Sequence, residues 1–248
     1  TFISPGEFIP LFESSGFITR FDMYIWKSVC KTLAAWRDKG CKLVPISINV
    51  SMIDITNIDV PQYLSMLTEQ YHISPEYLPV EITESVFAES NTIVKNTITR
   101  FHKKGFYVLM DDFGSGYSSL NVLKDVQVDM LKMDMMFMFK AKYDGRAETI
   151  ISSVIRMAKW LNIPVIAEGV DKAEQVEFLK SVGCDYIQGF YYSKPLPAAD
   201  YEKLISDQEE QPVPENGTSV NDLLWGKGGG LLAYIDSIDQ PATIYECF

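Results

Sequence analysis

Histidine is scarce in this sequence, which contains only His72 and His102 among its 248 residues. Zinc hydrolases hold their metal mainly through imidazole nitrogens, and a Ser-His-Asp triad requires a histidine as its base. The sequence therefore argues against both of these enzyme classes. If a metal ion is bound, we expect oxygen ligands, of the kind that suit Mg²⁺ or Mn²⁺.

Cysteines and long apolar segments are also sparse. The four cysteines are scattered, without a Cys-x-x-Cys pair, which is typical of reduced thiols in the cytoplasm. No apolar run reaches the ~18 residues of a membrane span, and no signal peptide is recognisable. We therefore expect a cytoplasmic protein. Because the chain begins with Thr1 rather than methionine, we also expect a longer parent protein, for which a membrane anchor stays open.

Positive charge is low: 22 lysine and arginine residues stand against 33 acidic residues, which gives a net charge of −11. A nucleic-acid polymer binds to a basic surface, so we do not expect DNA or RNA as a partner. The charge balance does not exclude a nucleotide that is held through metal ions. Hydrophobic residues make up 47% of the chain, which is enough for one large core.

No G-x-G-x-x-G motif follows the first predicted strand, which disfavours a dinucleotide-binding doubly wound sheet. Instead, six short apolar strands alternate with helices at intervals of about 20–35 residues, the rhythm of a parallel α/β sheet. A (β/α)₈ barrel fits this rhythm, and we expect its two remaining strands upstream of Thr1. The predicted strands are Leu43–Val50, Leu78–Glu84, Phe106–Asp111, Asp129–Asp134, Ile163–Glu168 and Asp185–Gln188.

The character of the sequence changes near residue 206. Residues 1–205 carry the alternation of strands and helices and are predicted to form one domain. Residues 206–220 are acidic and contain proline, asparagine and glycine, which indicates a linker. For residues 221–248 we predict either a C-terminal extension of the domain or the start of a further domain.

The predicted strand Phe106–Asp111 leads into two adjacent carboxylates, Asp111 and Asp112, and then into a loop rich in glycine and serine. Two neighbouring aspartates repel each other unless one is protonated or a cation lies between them. Paired acids at a strand end therefore suit a divalent metal with oxygen ligands. The alternative is an Asp-Gly turn that faces solvent, and these residues alone leave both open.

Polar side chains end the other predicted strands too. In an α/β barrel the carboxyl ends of all strands lie at one face, where active sites form. Several carboxylates there can hold two metal ions for displacement at phosphorus, and a lysine can assist the attacking water. Lys132 is the candidate for that role, and the alternative is a salt bridge with a neighbouring acid. The polar residues at the strand ends are Asn49, Glu81, Glu84, Asp111, Asp112, Lys132, Asp134, Glu168 and Gln188.

These residues fall within short motifs whose joint order is specific. From Ile3 to Pro197 the chain resembles the EAL domain of bacterial cyclic di-GMP phosphodiesterases. The motifs that carry the resemblance are Ser4-Pro5-Gly6-Glu7-Phe8, Ser47-Ile48-Asn49-Val50-Ser51, Glu81-Ile82-Thr83-Glu84, Asp111-Asp112-Phe113-Gly114, Lys132-Met133-Asp134, Ala167-Glu168-Gly169-Val170 and Gln188-Gly189-Phe190.

The resemblance implies a modified TIM-like (β/α) barrel that opens one phosphodiester bond of cyclic di-GMP and gives linear pGpG. It also implies a two-ion Mg²⁺ or Mn²⁺ site, a homodimer, and a sensor or cyclase domain fused to this chain in the parent protein. Lys132 would hold the attacking water, Glu168 would help as base, and Glu84 would steady the Asp112–Ser119 loop. The implied metal ligands are Asn49, Glu81, Asp111, Asp112 and Glu168, with Asp111 bridging, and the implied substrate pocket includes Ser4, Pro5, Gln188 and Pro195.

Two departures from the family pattern bear on activity. The Glu-Ala-Leu segment, whose glutamate is a further metal ligand in the family, is absent from this chain. We expect an active enzyme provided that this segment lies upstream of Thr1 in the full protein, and weaker metal binding and catalysis if the full protein lacks it. Asp171 stands where the family usually has glutamate, which shortens the reach of that carboxylate by one methylene. The leading hypothesis is an enzyme. The alternatives are a non-catalytic receptor or interaction module for cyclic di-GMP and an unrelated metal-assisted phosphatase on the same barrel.

Overall fold

The computed structural model describes residues 5–41, 43–89, 91–115, 123–124, 126–135 and 146–206. These residues belong to two compact units. Unit 1 comprises the described residues of Thr1–Asp111 and Gly116–Val128, and unit 2 comprises those of Asp112–Ser115 and Asp129–Phe248. The predicted linker, apart from Ser206, and the predicted extension at 221–248 lie outside the described residues, so these domain boundaries stay predictions.

Unit 1 begins with two helices and continues with strands that alternate with helices. Helices α1 (Pro5–Ser15) and α2 (Ile18–Asp38) are followed by strand β1 (Ile48–Asn49), helices α3 (Met52–Asn57) and α4 (Val60–Tyr71), strand β2 (Val80–Thr83), helices α5 (Glu84–Glu89) and α6 (Asn91–Lys103) and strand β3 (Val108–Asp111). A 3₁₀ turn at Pro75–Tyr77 precedes β2. The order confirms the α/β alternation that the sequence predicts for this part of the chain.

Helix α2 shows how the apolar pattern shapes unit 1. Its apolar residues recur every three or four positions, which places them on one face, and Trp26 and Trp36 on that face are buried. Gly40, two residues beyond the end of the helix, has a φ of +75°. The N–H of Gly40 donates to the carbonyl of Arg37 at 2.9 Å. The N–H of Cys41 donates to the carbonyl of Trp36, also at 2.9 Å, and the two bonds together form a Schellman motif.

Helix α2 is also the longest described helix, with 21 residues. Lys27 and Lys31 lie on its exposed face. Neither α2 nor any other helix in the described part of the chain combines the length and apolar character that crossing a membrane requires.

Strand β1 is shorter than the predicted strand Leu43–Val50. β1, β2 and β3 are parallel neighbours, and Ile48 lies opposite Val80. Ahead of β1, the N–H of Ile46 donates to a carbonyl of the 3₁₀ turn, but Pro79 has no N–H with which to return a bond. Regular pairing therefore begins only at Ile48, and the predicted strand is wrong over its first five residues, 43–47, and at Val50.

The sequence analysis predicts neither α3 nor α5. Helix α3 begins after Ser51, whose hydroxyl accepts a hydrogen bond from the N–H of Asp54, while the Asp54 carboxylate accepts one from the N–H of Ser51. Helix α5 begins at Glu84 directly after β2, so the predicted strand Leu78–Glu84 is wrong at this residue. Both helices contain six residues, too few to show a helical period in the sequence.

Unit 2 repeats the alternation with three further strands among its described residues. Strand β4 (Met130–Asp134) is followed by helix α7 (Arg146–Trp160), strand β5 (Val165–Glu168), helix α8 (Ala173–Val182), strand β6 (Tyr186–Ile187) and helix α9 (Ala198–Ser206). The strands are parallel neighbours, with Lys132 opposite Ile166 and Ile166 opposite Tyr186. Ile151 and Ile155 of α7 are fully buried, as the apolar face of that helix predicts.

Candidate active site

The carboxyl ends of β1, β2 and β3 present polar side chains on one face of the unit 1 sheet. Asn49 lies opposite Glu81 in the neighbouring strand. Asp111 lies opposite Thr83, which is two residues beyond Glu81 in β2. Side chains opposite each other in a parallel pair share a face, as do side chains two residues apart in one strand. Asn49, Glu81 and Asp111 therefore project from the same face.

These three side chains offer amide and carboxylate oxygens. Glu81 is buried, with 2% of its surface exposed, and burying a carboxylate is costly unless it is paired or coordinates a metal. Oxygen ligands are those that Mg²⁺ and Mn²⁺ prefer, so the chemistry of the donor set fits such an ion. Within the described residues, no three Asp, Glu, His or Cys side chains form a group that could hold a metal ion, so the predicted ligand set stays a prediction.

A helix outside the sheet contacts Asn49 directly. The indole N–H of Trp26, in α2, donates to the backbone carbonyl of Asn49 at 3.0 Å. Trp26 has no exposed surface, so this bond is shielded from competing water. The next residue, Val50, donates its N–H to the carbonyl of Glu81 at 2.9 Å. Asn49 is therefore fixed by a side chain from α2 as well as by its place in β1.

A second polar contact lies just beyond β1, around Ser51. The N–H and the hydroxyl of Ser51 both donate to Oδ2 of Asp54, at 2.8 Å and 2.7 Å. Asp54 is fully buried. Its second oxygen, Oδ1, receives no hydrogen bond from an N–H group or an alcohol, which leaves this atom in need of another donor.

The carboxyl group of Asp22, in α2, forms a hydrogen bond with that of Asp54. Burial, the charge and hydrogen bond of Asp54, and the charge of Glu13 raise the pKa of Asp22 to about 8. This raised pKa favours the protonated form of Asp22. A protonated carboxyl group is a hydrogen-bond donor, so Asp22 supplies the donor that the buried carboxylate of Asp54 needs.

In unit 2, Lys132 and Glu168 form an ion pair. Nζ of Lys132 lies 2.8 Å from Oε1 of Glu168, and the two side chains are 3% and 22% exposed. Asp134, two residues beyond Lys132, lies opposite Glu168, so all three side chains project from one face of the sheet. The salt bridge considered for Lys132 is thus observed. It does not oppose a catalytic role, because the partner is itself a predicted site residue.

Asp112 begins the turn that precedes β4 in unit 2. Its φ is +57°, a left-handed conformation that is uncommon outside glycine but that aspartate tolerates better than most residues. Its carbonyl accepts a hydrogen bond from the N–H of Ser115 at 3.0 Å. The buried Phe113 donates its N–H to the carbonyl of Lys132 at 3.0 Å. The turn thus connects Asp112 to the strand that carries Lys132.

Gln188 follows β6 and precedes Gly189. Its N–H donates to the carbonyl of Ala167 at 2.8 Å, and its carbonyl accepts the N–H of Val170 at 3.1 Å. A Cβ atom at Gly189 would lie 2.1 Å from the carbonyl oxygen of Val170, so only glycine permits this close approach of two backbone segments. These contacts fix the backbone of Gln188 against the segment that follows Glu168.

The structure says less about the other predicted site residues. Ser4 and Ser119 lie outside the described residues. Pro5 is the first residue of α1 and is exposed, whereas Pro195 is partly buried. Glu84 is buried at the start of α5, with 2% of its surface exposed. The roles of all predicted substrate, catalytic and metal-binding residues stay predictions.

The sequence analysis missed Trp26 and Asp54, which contact the segment at the end of β1, and Asp22, which contacts Asp54. Two signals point to them. Ser51 and Asp54 have the spacing of a capping box, a hydroxyl residue followed three positions later by an acidic residue. Asp22 and Trp26 lie four residues apart on the stripe of α2 that begins with the buried Ile18, where a carboxylate is unexpected.

Comparison with protein families gives a match to the EAL domain over residues 1–195. Among curated proteins, the chain is 34% identical over 201 residues to the probable cyclic di-GMP phosphodiesterase PdeB of Escherichia coli (strain K12). That alignment covers 81% of this chain and 38% of PdeB. The chain spans between about a quarter and about two fifths of the length of the curated relatives it matches most strongly.

Solved structures show the same likeness. The PaMucR phosphodiesterase, in a complex with c-di-GMP, aligns with a TM-score of 0.75 and 30% identity over 80% of this chain and 81% of that chain. BlrP1 of Klebsiella pneumoniae, in a complex with manganese and cyclic di-GMP, aligns with a TM-score of 0.64 and 28% identity over 71% of this chain and 44% of that chain. These likenesses confirm the predicted fold class, a modified TIM-like (β/α) barrel. The chain therefore belongs to the EAL domain family.

Proposed function

We propose that this protein hydrolyses cyclic di-GMP to linear pGpG with the help of Mg²⁺ or Mn²⁺. The observation that carries the proposal is the Lys132–Glu168 ion pair, in which two residues of the implied catalytic set lie 2.8 Å apart. The family of the chain supports the substrate, because relatives such as PdeR of Escherichia coli (strain K12) are named as cyclic di-GMP phosphodiesterases. The complexes of PaMucR and BlrP1 with the dinucleotide support it further.

Five residues are proposed to hold two metal ions. Three of them, Asn49, Glu81 and Asp111, project from one face of the unit 1 sheet. When bound, the ions would act as Lewis acids on the phosphoryl oxygens. The manganese in the BlrP1 complex supports a divalent ion of this kind. The proposed ligands are Asn49, Glu81, Asp111, Asp112 and Glu168, with Asp111 as the bridging carboxylate.

The ion pair of unit 2 offers a route for the proton. The oxygen of the attacking water forms a bond to phosphorus, and the Glu168 carboxylate accepts the proton that this water loses. The bond between phosphorus and the 3′ oxygen breaks, and that oxygen takes a proton from solvent, which leaves the 5′ phosphate of pGpG. Lys132 places a positive charge beside the reacting groups and donates a hydrogen bond to the water.

The substrate is proposed to contact Ser4, Pro5, Gln188 and Pro195. Of these, Gln188 has the best defined backbone, because both its N–H and its carbonyl are bonded within unit 2. Glu84 is proposed to act indirectly, by steadying the Asp112–Ser119 loop. A homodimer, a fused sensor or cyclase domain and a cytoplasmic location also stay proposals, and the chemistry described above depends on none of them.

The proposal is tested by incubating the purified protein, with any segment that precedes Thr1, with cyclic di-GMP and Mn²⁺ or Mg²⁺. Chromatography should show pGpG, the reaction should stop when EDTA removes the metal, and added metal should restore it. A Glu168→Gln variant, which keeps the size of the side chain but removes the base, should lose most of the product.

Other outcomes of this experiment contradict the proposal. No pGpG at micromolar enzyme would exclude the hydrolase. Binding of cyclic di-GMP without turnover would instead support the non-catalytic receptor or interaction module. Faster cleavage of simple phosphate monoesters than of cyclic di-GMP would support the unrelated metal-assisted phosphatase.

A further inference from the structure

The polar contacts at the end of β1 form a connected group that we call the α2 brace, which consists of Asp22, Trp26, Ser51 and Asp54. Trp26 binds the carbonyl of Asn49, and Asp54 binds the N–H and hydroxyl of Ser51, two residues further along the chain. Asp22 hydrogen-bonds with Asp54 and so links it to α2. One helix thus holds the backbone at Asn49 and directly beyond it.

Stability alone explains the α2 brace poorly. Asp54 is fully buried, and burying carboxyl groups carries a desolvation penalty that apolar residues of similar size avoid. What a buried polar network provides is a defined arrangement of the groups it bonds. The segment arranged by this network is the one that carries Asn49.

Asn49 needs such support. It is exposed and lies in a strand of two residues, so the sheet by itself restrains its backbone weakly. Helix α2 has 21 residues, and its apolar face is buried in unit 1. Because α2 is anchored in the core, its contacts restrain the backbone at the end of β1.

We propose that the α2 brace positions the side chain of Asn49 for metal binding. Asp22, Trp26, Ser51 and Asp54 are then positioning residues, which act through Asn49 and do not contact substrate. The inference rests on the proposed function, because it takes Asn49 as a metal ligand. It goes beyond that proposal by assigning a role to four residues outside the ligand and substrate sets.

The contact between Asp22 and Asp54 allows a matched pair of variants. Asp54 of α3 and Glu13 of α1 are the charged groups that face Asp22, and both favour its protonated form. Asp22→Asn keeps a hydrogen-bond donor for Asp54 without a charge. Asp22→Leu has a similar size but no donor, so it removes the link from α2 and leaves Asp54 bonded to Ser51 alone.

The test compares these two variants with Trp26→Phe and with Trp36→Phe, a control that removes the same atoms from another buried site of α2. The dissociation constant of Mn²⁺ is measured by electron paramagnetic resonance, and hydrogen exchange is followed over residues 48–54.

Trp26→Phe and Asp22→Leu should weaken Mn²⁺ binding about tenfold and speed up the exchange. Asp22→Asn and Trp36→Phe should stay within about twofold of the wild type. In turnover assays, saturating Mn²⁺ should restore most of kcat in Trp26→Phe.

Equal Mn²⁺ affinity in Trp26→Phe and Trp36→Phe would overturn the positioning role. If Trp26→Phe does not fold, the comparison of Asp22→Leu with Asp22→Asn decides instead, and equal affinities there overturn it. A wild-type protein that binds Mn²⁺ but forms no pGpG refutes only the proposed hydrolysis, and the affinity comparison still decides on the brace. A wild-type protein that binds no Mn²⁺ refutes both.

Discussion

The two units hold their predicted site residues in different ways. In unit 1, Asn49 is held through its backbone, by the indole of Trp26 and by the pairing of β1 with β2. In unit 2, Lys132 and Glu168 hold each other, side chain to side chain, at 2.8 Å. In unit 1, a predicted site residue is thus held by residues that are not themselves predicted ligands. In unit 2, two predicted site residues are held by their opposite charges.

This difference has consequences for mutation. A ligand whose backbone is held by its neighbours can lose its side-chain chemistry while the fold persists. A residue that is paired with an opposite charge in a partly buried site cannot, because its removal leaves the partner's charge uncompensated. We therefore expect variants at the strand ends of unit 1 to separate activity from stability, and variants of the unit 2 ion pair to lose both.

The largest effect is expected for Lys132→Ala. Turnover of cyclic di-GMP should fall about 10⁴-fold, because the variant removes a charge that is proposed to lie next to the reacting groups. The free energy of unfolding should fall by about 2 kcal/mol, because Glu168 loses its partner. Lys203→Ala is the control, since Lys203 pairs with Asp200 on the surface, where ion pairs contribute little. Near-normal turnover in Lys132→Ala would contradict the assignment.

Asp111→Asn should show the contrasting behaviour of unit 1. Turnover should fall about 10³-fold, because the proposed bridging charge is lost, while the melting temperature should stay within a few degrees of the wild type. Product formation and thermal unfolding are measured on the same preparation. If turnover is unchanged, Asp111 is not a ligand. If the variant loses its fold together with its turnover, the expected separation of activity from stability in unit 1 is wrong.

Gly189→Ala tests how tightly the backbone of unit 2 is packed behind Gln188. The new Cβ would lie 2.1 Å from the carbonyl oxygen of Val170, so we expect a loss of about 3 kcal/mol in the free energy of unfolding. Gly16→Ala in unit 1 is the matched control. It shares a positive φ but has no atom within 4 Å of its Cβ, so about 1 kcal/mol is expected. Urea unfolding curves that show equal losses would contradict the close approach.

The smallest effect concerns the pH dependence of stability. The pKa of Asp22 rises from 3.8 to about 8, mainly through burial, so the native state keeps a proton that the unfolded state releases. The stabilising contribution is therefore complete below the unfolded pKa and is lost as the pH rises toward 8. When the pH rises from 6 to 8.5, the free energy of unfolding should fall by roughly 2 kcal/mol less in Asp22→Asn than in the wild type. Urea unfolding curves of both proteins at both pH values test this. An equal fall in the free energy of unfolding in the two proteins would show that Asp22 is not the group that keeps the proton.

The strand ends were predictable from the sequence, whereas their support was not. An apolar run, such as the one before Asp111, predicts a strand, and the acidic or amide side chain that follows the run marks its carboxyl end. The contact of Trp26 with Asn49 joins residues 23 positions apart, and no local periodicity reveals such a pair. The limits of β1 depended on the missing N–H of Pro79, and α5 at Glu84 was too short to show a period.

The most direct test of the account is a crystal structure of the protein grown with Mn²⁺ and cyclic di-GMP, with data collected for manganese anomalous scattering. We expect two anomalous peaks, one of them within about 2.5 Å of oxygens of both Asn49 and Glu81, and a carboxylate oxygen of Asp111 near each peak. Manganese that is absent from these side chains, in crystals that contain the dinucleotide, would contradict the central claim.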